Sequence, residues 1–241
     1  MKNGSFVLGH QLKSDQLDAR IMNWPIATIP EKRITQNTSP IGIDRALLFD
    51  DKAYNNRQIE LTLGFEGKNA EDNIRKFMSH LDTGKYEDWV MYSDPNYTYQ
   101  VTRTASAKMN RPSYSDSYRE LTVTLECAPF KYLQGSSIAV SAGDAVTISN
   151  PTNYDSKPLV TITVKGDTEL TVNGHKTTIK NVQSNIIIDS ALQDAYHLEG
   201  YTYFNDNNLI SVGAYPIFKA GNNTIQLTKG TAKVEGRWRT I

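Results

Sequence analysis

The sequence lacks the features on which several classes of protein depend. It contains a single cysteine, Cys127, so no internal disulfide can form and a zinc site built on several cysteines is excluded. No apolar run approaches the roughly 20 residues of a membrane span, and the amino terminus lacks the long apolar stretch of a signal peptide. We therefore expect a protein made in a reducing compartment, which stays in the cytosol or leaves it by a route that the sequence does not encode.

An excess of charge of one sign is also absent. Lys and Arg total 26, Asp and Glu total 26, and the formal net charge is zero. Proteins that bind nucleic acid or anionic lipid through a broad surface carry a basic patch, so we expect neither a nucleic acid nor a membrane as partner. The 241 residues allow one large domain or two modest ones.

Motifs of catalysis and metal binding are missing as well. Four histidines occur singly, without a second ligand at metal-binding spacing; they are His10, His80, His175 and His197. No glycine-rich phosphate loop, nucleophile elbow or HExxH helix occurs. Adjacent acids such as Asp50 and Asp51 point to opposite faces of a strand, and the oxygen-rich run 205–208 lacks the spacing of a calcium loop. We predict no catalytic, cofactor-binding or metal-binding residue, and no enzyme activity.

Alternation of apolar and polar residues is what the sequence does contain, and it is typical of half-buried strands. The two clearest strands are predicted over 58–66 and 121–127. Their inward-facing residues are Ile59, Leu61, Leu63 and Phe65 in the first and Leu121, Val123, Leu125 and Cys127 in the second. Thirteen tyrosines add rigid amphipathic surface, which is enriched where proteins bind proteins or sugars. Several crowd one region, namely Tyr92, Tyr97, Tyr99, Tyr114 and Tyr118.

One segment departs from this alternation and predicts an amphipathic helix over 70–81. Its apolar residues recur at the i, i+3, i+4 and i+7 spacing of one helical face; they are Ile74, Phe77, Met78 and Leu81. We expect this helix to pack on the sheet of the first domain.

The composition changes after residue 133, where a Gln-Gly-Ser-Ser run begins and charged residues become fewer. We predict a mainly β protein with two domains. Residues 1–133 form an α+β domain with one main helix. Residues 134–241 form a nearly all-β domain with about eight short strands, enough for a sandwich or jelly roll of two packed sheets.

Several short motifs recur in a specific order along the chain. In the first domain, Arg57 opens a strand, the helix begins at Ala70, and a Cys-Ala-Pro-Phe-Lys-Tyr run closes the domain; its motif residues are Cys127, Pro129 and Phe130. In the second domain, the motif residues are Asn150, Pro151, Pro158, Gly166, Asn173, Asp189, Arg237, Trp238 and Arg239. These residues also suit structural roles, because prolines and Gly166 fix turns and Trp238 fills a core.

In this order and spacing, the motifs resemble the distal tail proteins of long-tailed bacteriophages and prophages of Gram-positive bacteria, over nearly the whole chain. The resemblance implies a virion protein of the phage tail tip, made in the cytoplasm of the bacterial host. Residues 1–133 would be the belt domain of a homo-hexameric ring. Residues 134–241 would be a galectin-like β-sandwich. The implied partners are the tail tube protein, a tail-tip protein of the tail-associated lysin type, and a receptor-binding protein used in host adhesion.

A closed ring needs a heterologous interface between neighbouring copies. We expect the unpaired strand edges of an extended hairpin, within residues 24–48, to supply it by strand addition. The predicted arms are 24–30 and 41–49, and the candidate interface residues are Trp24, Arg33 and Arg45.

The main alternative is a carbohydrate-binding module or lectin for bacterial cell-wall glycans. Sugar-binding galectins use a His-x-Asn-x-Arg strand and a Trp followed closely by Glu and Arg. Here His175 lacks the first pattern, and Trp238 lacks the glutamate of the second. An enzyme acting on cell-wall polysaccharide is a third hypothesis.

Overall fold

The computed structural model describes residues 1–9, 11–37, 39, 41–112 and 116–241, so His10 and Tyr114 lie outside the described residues. The chain forms two compact units, Met1–Lys131 and Tyr132–Thr240. Each unit encloses a hydrophobic core of its own. Strands dominate both units, and the single α-helix of the described part, α1 (Ala70–Leu81), lies in the first.

The first unit is built around one curled, antiparallel sheet. Its strands are β1 (Phe6–Leu8), β2 (Leu12–Lys13), β3 (Ala19–Ile21), β4 (Ile26–Ala27), β5 (Lys32–Asn37), β6 (Leu47–Tyr54), β7 (Arg57–Glu66), β8 (Glu87–Met91), β9 (Tyr97–Thr102), β10 (Lys108–Asn110) and β11 (Tyr118–Cys127). The main path runs β2-β1-β8-β9-β11-β7-β3, with β10 paired to β11 and β4 paired to β7. Strands β5 and β6 form a separate two-stranded sheet.

Strands β7 and β11 form the longest pairing of this sheet. Each has ten residues, and they pair from Arg57 opposite Cys127 to Glu66 opposite Tyr118. All eight apolar residues predicted to face inward on the two strands are buried. The alternation in the sequence is therefore confirmed as the pattern of these two strands.

Helix α1 covers this strand pair, as the sequence predicts. It spans Ala70–Leu81 and contacts β7 and β11. Its Phe77 side chain is fully buried, with ring centroids 5.7 Å from Phe6, 6.2 Å from Phe65 and 6.1 Å from Trp89. The aromatic cluster thus joins the helix to the sheet.

The second unit is a sandwich of two antiparallel sheets. Its strands are β13 (Ser137–Ser141), β14 (Val146–Asn150), β15 (Leu159–Thr163), β16 (Gly166–Val172), β17 (His175–Val182), β18 (Asn185–Asp189), β19 (Asp194–Glu199), β20 (Thr202–Asn205), β21 (Ile210–Val212), β22 (Gly221–Leu227) and β23 (Thr231–Glu235). Two further short strands, β12 (Lys131–Leu133) and β24 (Arg239–Thr240), pair with each other and lie outside both sheets of the sandwich. A six-stranded sheet has the order β13-β23-β15-β18-β19-β20, and a five-stranded sheet has the order β14-β22-β16-β17-β21. These are more than the eight strands expected, because short exposed strands such as β20 show no alternation between buried and exposed positions.

A buried ion pair links β18 to the end of the second unit. The Asp189 carboxylate is 3% exposed and accepts hydrogen bonds from Arg237 Nη1 at 2.8 Å and Nη2 at 3.1 Å. It also accepts the backbone N–H groups of Ala191 at 2.8 Å and Leu192 at 3.2 Å. Trp238 follows directly and is buried, with its ring centroid 5.4 Å from that of Phe218.

Replacing Phe77 with Ala should lower the free energy of unfolding of the first unit by about 3–5 kcal/mol, because it leaves a cavity among packed aromatic rings. Urea unfolding followed by tryptophan fluorescence measures this change. The matched control is Lys76→Ala on the exposed face of the same helix, which should change the free energy by less than about 0.5 kcal/mol. Equal effects of the two variants would contradict the packing described.

Replacing Arg237 with Ala should cost about 3 kcal/mol of stability in the second unit, because it leaves the buried Asp189 carboxylate without its counter-charge. The control is Lys233→Ala, which breaks the exposed ion pair with Glu235 and should cost at most about 1 kcal/mol. Urea midpoints of the two variants give the comparison, and similar midpoints would show that the buried pair contributes no more than a surface pair.

Candidate protein-interaction surfaces

The first candidate surface is the extended hairpin, defined as β5, β6 and the described residues of the loop between them, 39 and 41–46. Its strands pair with Thr35 opposite Phe49 and Asn37 opposite Leu47. Because β5 and β6 form a sheet of their own, their outer edges pair with no other strand in the described part of the chain. Unpaired edges of this kind are templates for strand addition.

The extended hairpin exposes apolar side chains on both faces. Leu47 and Phe49 lie on one face, and Ile34 and Leu48 lie on the other, since side chains alternate along a strand. Leu48 is 62% exposed and Phe49 is 52% exposed. A lone two-stranded hairpin is only marginally stable in water, and exposed apolar patches mark interaction sites. The hairpin therefore has the character of a surface that another protein covers.

The predicted arms of this hairpin are wrong, although the hairpin itself is present. Of the run 24–30, only Ile26–Ala27 forms a strand, and it pairs with β7. Pro25 and Pro30 bracket this strand and lack the N–H group that a longer ladder requires. Most of the predicted second arm, residues 41–46, belongs to the loop, where Gly42 adopts a φ of +87°.

Two of the three predicted interface residues lie on the extended hairpin. Arg33 stands in β5 beside an irregularity in the register, and Arg45 stands in the loop; both are exposed. Trp24 precedes β4 and is not part of the hairpin. Its ring contacts Tyr92 edge-on at a centroid distance of 5.9 Å.

Polar contacts fix the base of the hairpin. The Lys32 Nζ atom lies 2.6 Å from Asp50 Oδ2, and the Asn55 N–H group donates to the Glu31 carbonyl at 2.8 Å. The hydrogen bond from Lys32 lowers the pKa of Asp50 and raises that of Lys32. These contacts hold β5 and β6 in register at the end of the hairpin that adjoins β7.

The second candidate surface is the helix-side groove, a depression of about 380 Å³ between α1 and β10. Its apolar lining residues are Ile74, Met78, Ala107, Met109 and Leu121, and its polar ones are Glu71, Arg75, Arg103 and Ser106. Strand β10 pairs only with β11 among the described strands, so its other edge is open beside the groove. An open edge next to an apolar depression suits an incoming strand with apolar side chains.

Besides these two surfaces, the first unit contains a buried basic cluster at the start of β7. Arg57 is 5% exposed, and its Cζ atom lies 4.9 Å from the centroid of the Tyr99 ring. Lys131 Nζ lies 2.6 Å from Asp94 Oδ2, and the Tyr99 hydroxyl donates to the same oxygen at 2.7 Å. Burial raises the pKa of Tyr99, with help from its hydrogen bond to Asp94. The cluster therefore contains two cations and one carboxylate.

Sequence reasoning missed the burial of Arg57 and treated it only as the residue that opens a strand. A signal was available, because Arg57 continues the inward-facing series of Ile59 and Leu61. A charged residue at an inward-facing position of a strand is rare without a partner. The position of Arg57 in the alternation is therefore enough to single it out from the sequence.

The remaining candidate surface, in the second unit, is the Asp194 cluster. It consists of Asp194, Tyr196, Tyr203, Asn205 and Asn207. The Asp194 carboxylate accepts hydrogen bonds from the Tyr203 hydroxyl, from Asn207 Nδ2 at 2.6 Å and from Asn205 Nδ2 at 3.2 Å. The bond from Tyr203 lowers the pKa of Asp194 and raises that of Tyr203. Tyr196 lies beside Tyr203, with ring centroids 5.0 Å apart. The run 205–208 thus forms a hydrogen-bonded turn.

Most of the motif residues hold turns and strand ends. Asn150 Nδ2 donates to the Tyr154 carbonyl at 2.9 Å, and Asn173, with a φ of +49°, accepts the Thr224 N–H group at 2.9 Å. Arg239 Nε donates to the Asp155 carbonyl at 2.6 Å. The others lie near strand ends or in turns: Cys127, Pro129, Phe130, Pro151, Pro158 and Gly166.

Within the described ranges, no three His, Cys, Asp or Glu side chains are grouped so that they could hold a metal ion. His197 Nδ1 lies 2.6 Å from Asp206 Oδ2, and His80 Nδ1 lies 3.0 Å from the Lys76 carbonyl of its own helix. No α-helix in that part of the chain has the length and hydropathy that crossing a membrane requires.

The sequence matches no protein-family model and no curated protein. The fold, however, is similar to the crystal structure of the SPP1 Dit protein, which is described as a paradigm of the hub adsorption apparatus in phages that infect Gram-positive bacteria. The TM-score is 0.64, and the match covers 95% of this chain and 96% of the SPP1 chain at 11% sequence identity. The resemblance to distal tail proteins is thus confirmed at the level of the fold: the chain has a Dit-like fold, with a helix-bearing curled sheet followed by a β-sandwich.

Proposed function

We propose that the chain is a structural hub of a phage tail. Six copies form a ring at the distal end of the tail, joining the tail tube protein to a tail-tip protein of the tail-associated lysin type. The extended hairpin carries this proposal, because its apolar faces and strand edges have no cover within the described chain. The Dit-like fold supports the setting, since SPP1 Dit is described as part of a hub adsorption apparatus.

The ring joint consists of the hairpin of one copy seated in the helix-side groove of the next. Leu48 and Phe49 supply apolar side chains, and Met78 and Met109 line the groove. Because the two surfaces differ, the contact is heterologous and continues from copy to copy until the ring closes. Fully burying two such side chains contributes about 3–6 kcal/mol, which is comparable to the lowest estimates of the cost of association. A single joint between two copies is therefore weak. The ring is stable because its joints hold one another in place once it has closed.

The two units divide the work. The first unit forms the ring; it corresponds to the belt domain predicted over residues 1–133. The second unit contacts a receptor-binding protein during host adhesion; it corresponds to the galectin-like domain predicted over residues 134–241. The hairpin of β19 and β20 supports the second role, because it exposes Leu198, Tyr201 and Phe204 at the edge of the six-stranded sheet. The protein is made in the host cytoplasm and acts in the virion, with no covalent chemistry.

The purified protein should have a mass in solution of six times the 27.0 kDa chain mass, stable on dilution. Light scattering on a sizing column measures it. The double variant Leu48→Asp, Phe49→Asp should elute as single chains, because it removes the apolar contacts with Met78 and Met109 and adds two carboxylates that are costly to desolvate. Its far-ultraviolet circular dichroism should stay unchanged. The control is Leu192→Asp, which alters an exposed leucine of the second unit and should keep the six-chain mass.

A mixing experiment tests whether the joint is heterologous. Met109→Asp should also yield single chains, because it blocks the groove and leaves the hairpin intact. When it is mixed with the hairpin double variant, one intact hairpin meets one intact groove. The mixture should form pairs at high concentration and no ring. A six-chain mass for either variant, or a mixture that forms no pairs at high concentration, would contradict the joint.

The alternative function, a lectin for cell-wall glycans, has one observation in its favour. Tyr196 and Tyr203 form an aromatic pair beside a carboxylate and two amides, which is chemistry that suits sugars. Trp238 is buried and unavailable for stacking on a sugar. If the alternative holds, calorimetry should show saturable binding of wall polysaccharide fragments to a single chain, weakened about tenfold or more by Tyr203→Ala. The control is Tyr86→Ala in the first unit. Absence of binding at millimolar fragment concentration would exclude this function.

A further inference from the structure

Strand β20 forms one edge of the six-stranded sheet, and its outer side is open. It pairs with β19 alone among the described strands. The Asp206 N–H group, directly after β20, donates inward to the Ala195 carbonyl at 2.8 Å. Because backbone groups point alternately to the two sides along an antiparallel strand, those of Tyr203 and Asn205 point outward. A further strand can pair with them there.

Aromatic and apolar side chains border this open edge on both faces of the sheet. Leu198 lies opposite Tyr203 on one face. His197 lies opposite Phe204 on the other face, with ring centroids 5.1 Å apart. All residues of β20 are exposed. A strand added here therefore gains apolar contacts as well as backbone hydrogen bonds.

The charge of this region selects the kind of strand that binds. Although the whole chain is neutral, residues 181–218 include four acids and no Lys or Arg. Asp194 and Glu199 form no ion pair with Lys or Arg among the described residues, and the Glu199 side chain is 73% exposed. The hydrogen bond from Tyr203 lowers the pKa of Asp194, so this carboxylate is negative at neutral pH. The edge therefore attracts a positively charged partner.

We propose that the edge of β20 binds an extended, basic segment of a partner protein, which adds to the six-stranded sheet as a seventh strand. This inference rests on the proposed function, because it specifies how the second unit holds a receptor-binding protein. The partner is recognised both by its backbone and by its charge, and its binding covers the strand edge that the described chain leaves open.

Alternation along the incoming strand predicts the sequence of that segment. On the face of Tyr203, its side chains meet two tyrosine rings with centroids 5.0 Å apart and the Asp194 carboxylate. Arg or Lys suits this face, because a cation is attracted both to an aromatic ring and to a carboxylate. On the face of Phe204, an apolar side chain such as Val suits the exposed ring. The segment therefore alternates basic and apolar residues.

Three fluorescently labelled heptapeptides test the charge and the strand pairing separately. The first alternates Arg and Val, and the second alternates Glu and Val. The third alternates Arg and Pro, which keeps the charge but prevents the peptide from forming a strand. Fluorescence anisotropy with increasing amounts of the full chain should show saturable binding of the Arg–Val peptide. The other two peptides should bind about tenfold more weakly or not at all.

The double variant Asp194→Asn, Glu199→Gln tests the acids of the edge. It should bind the Arg–Val peptide about fivefold to tenfold more weakly, which is the effect of losing two exposed ion pairs. Its far-ultraviolet circular dichroism and its mass in solution should match those of the wild type. The matched control, Asp144→Asn, removes an exposed acid elsewhere in the second unit and should bind the peptide as the wild type does.

The other outcomes overturn the proposal in distinct ways. Equal binding of the Arg–Val and Arg–Pro peptides would show a contact of charge alone, without an added strand. Selective binding of the Glu–Val peptide, or wild-type affinity in the double variant, would contradict a basic partner. Binding of wall polysaccharide fragments without binding of any peptide would favour the lectin instead.

The mass in solution separates this inference from the proposed ring. A six-chain mass without binding of the Arg–Val peptide would overturn the inference and leave the ring intact. A single-chain mass at every concentration, together with selective binding of that peptide, would contradict the ring and support the edge of β20 as a binding surface.

Discussion

The ten-residue pairing of β7 with β11 is the constraint on which the first unit depends. It presents one continuous apolar face, and α1 packs on that face through Phe77. Because β7 is anchored along its whole length, the chain immediately before it has a fixed exit. The extended hairpin leaves the sheet at that exit, and Arg57 occupies the first position inside it. The pairing of β7 with β11 thus fixes the position of the extended hairpin, which is the surface proposed to bind a neighbouring copy.

The extended hairpin represents a cost that the single chain carries. Apolar side chains face water on both sides, and the free edges invite pairing with other chains. A stable monomer gains nothing from such an element. The same features become favourable when a second copy covers them, because the apolar side chains are then buried and the strand edges are paired. The hairpin therefore destabilises the free protein and stabilises an assembly.

The sequence predicts the elements whose periodicity is strong and local. The two long strands and α1 appear where the apolar spacing places them, since each buries one face against a core. The hairpin arms were predicted in the wrong place, because Ile41, Ile43 and Leu47 alternate like a buried strand but face no core. The helix-side groove was not predicted at all. It exists only because Met78 and Met109, distant in sequence, border the same depression.

Motif searches are poorly suited to a function that consists of assembly. Catalysis requires particular side chains at particular spacings, and these are recognisable in a sequence. Assembly requires complementary surfaces, which any suitable apolar residues can provide. Such surfaces are recognised by what they leave unsatisfied: an apolar face without a core, a strand edge without a neighbour, or a charge without a counter-charge. The extended hairpin contains the first two together, and their coincidence argues for a common partner more strongly than either one does.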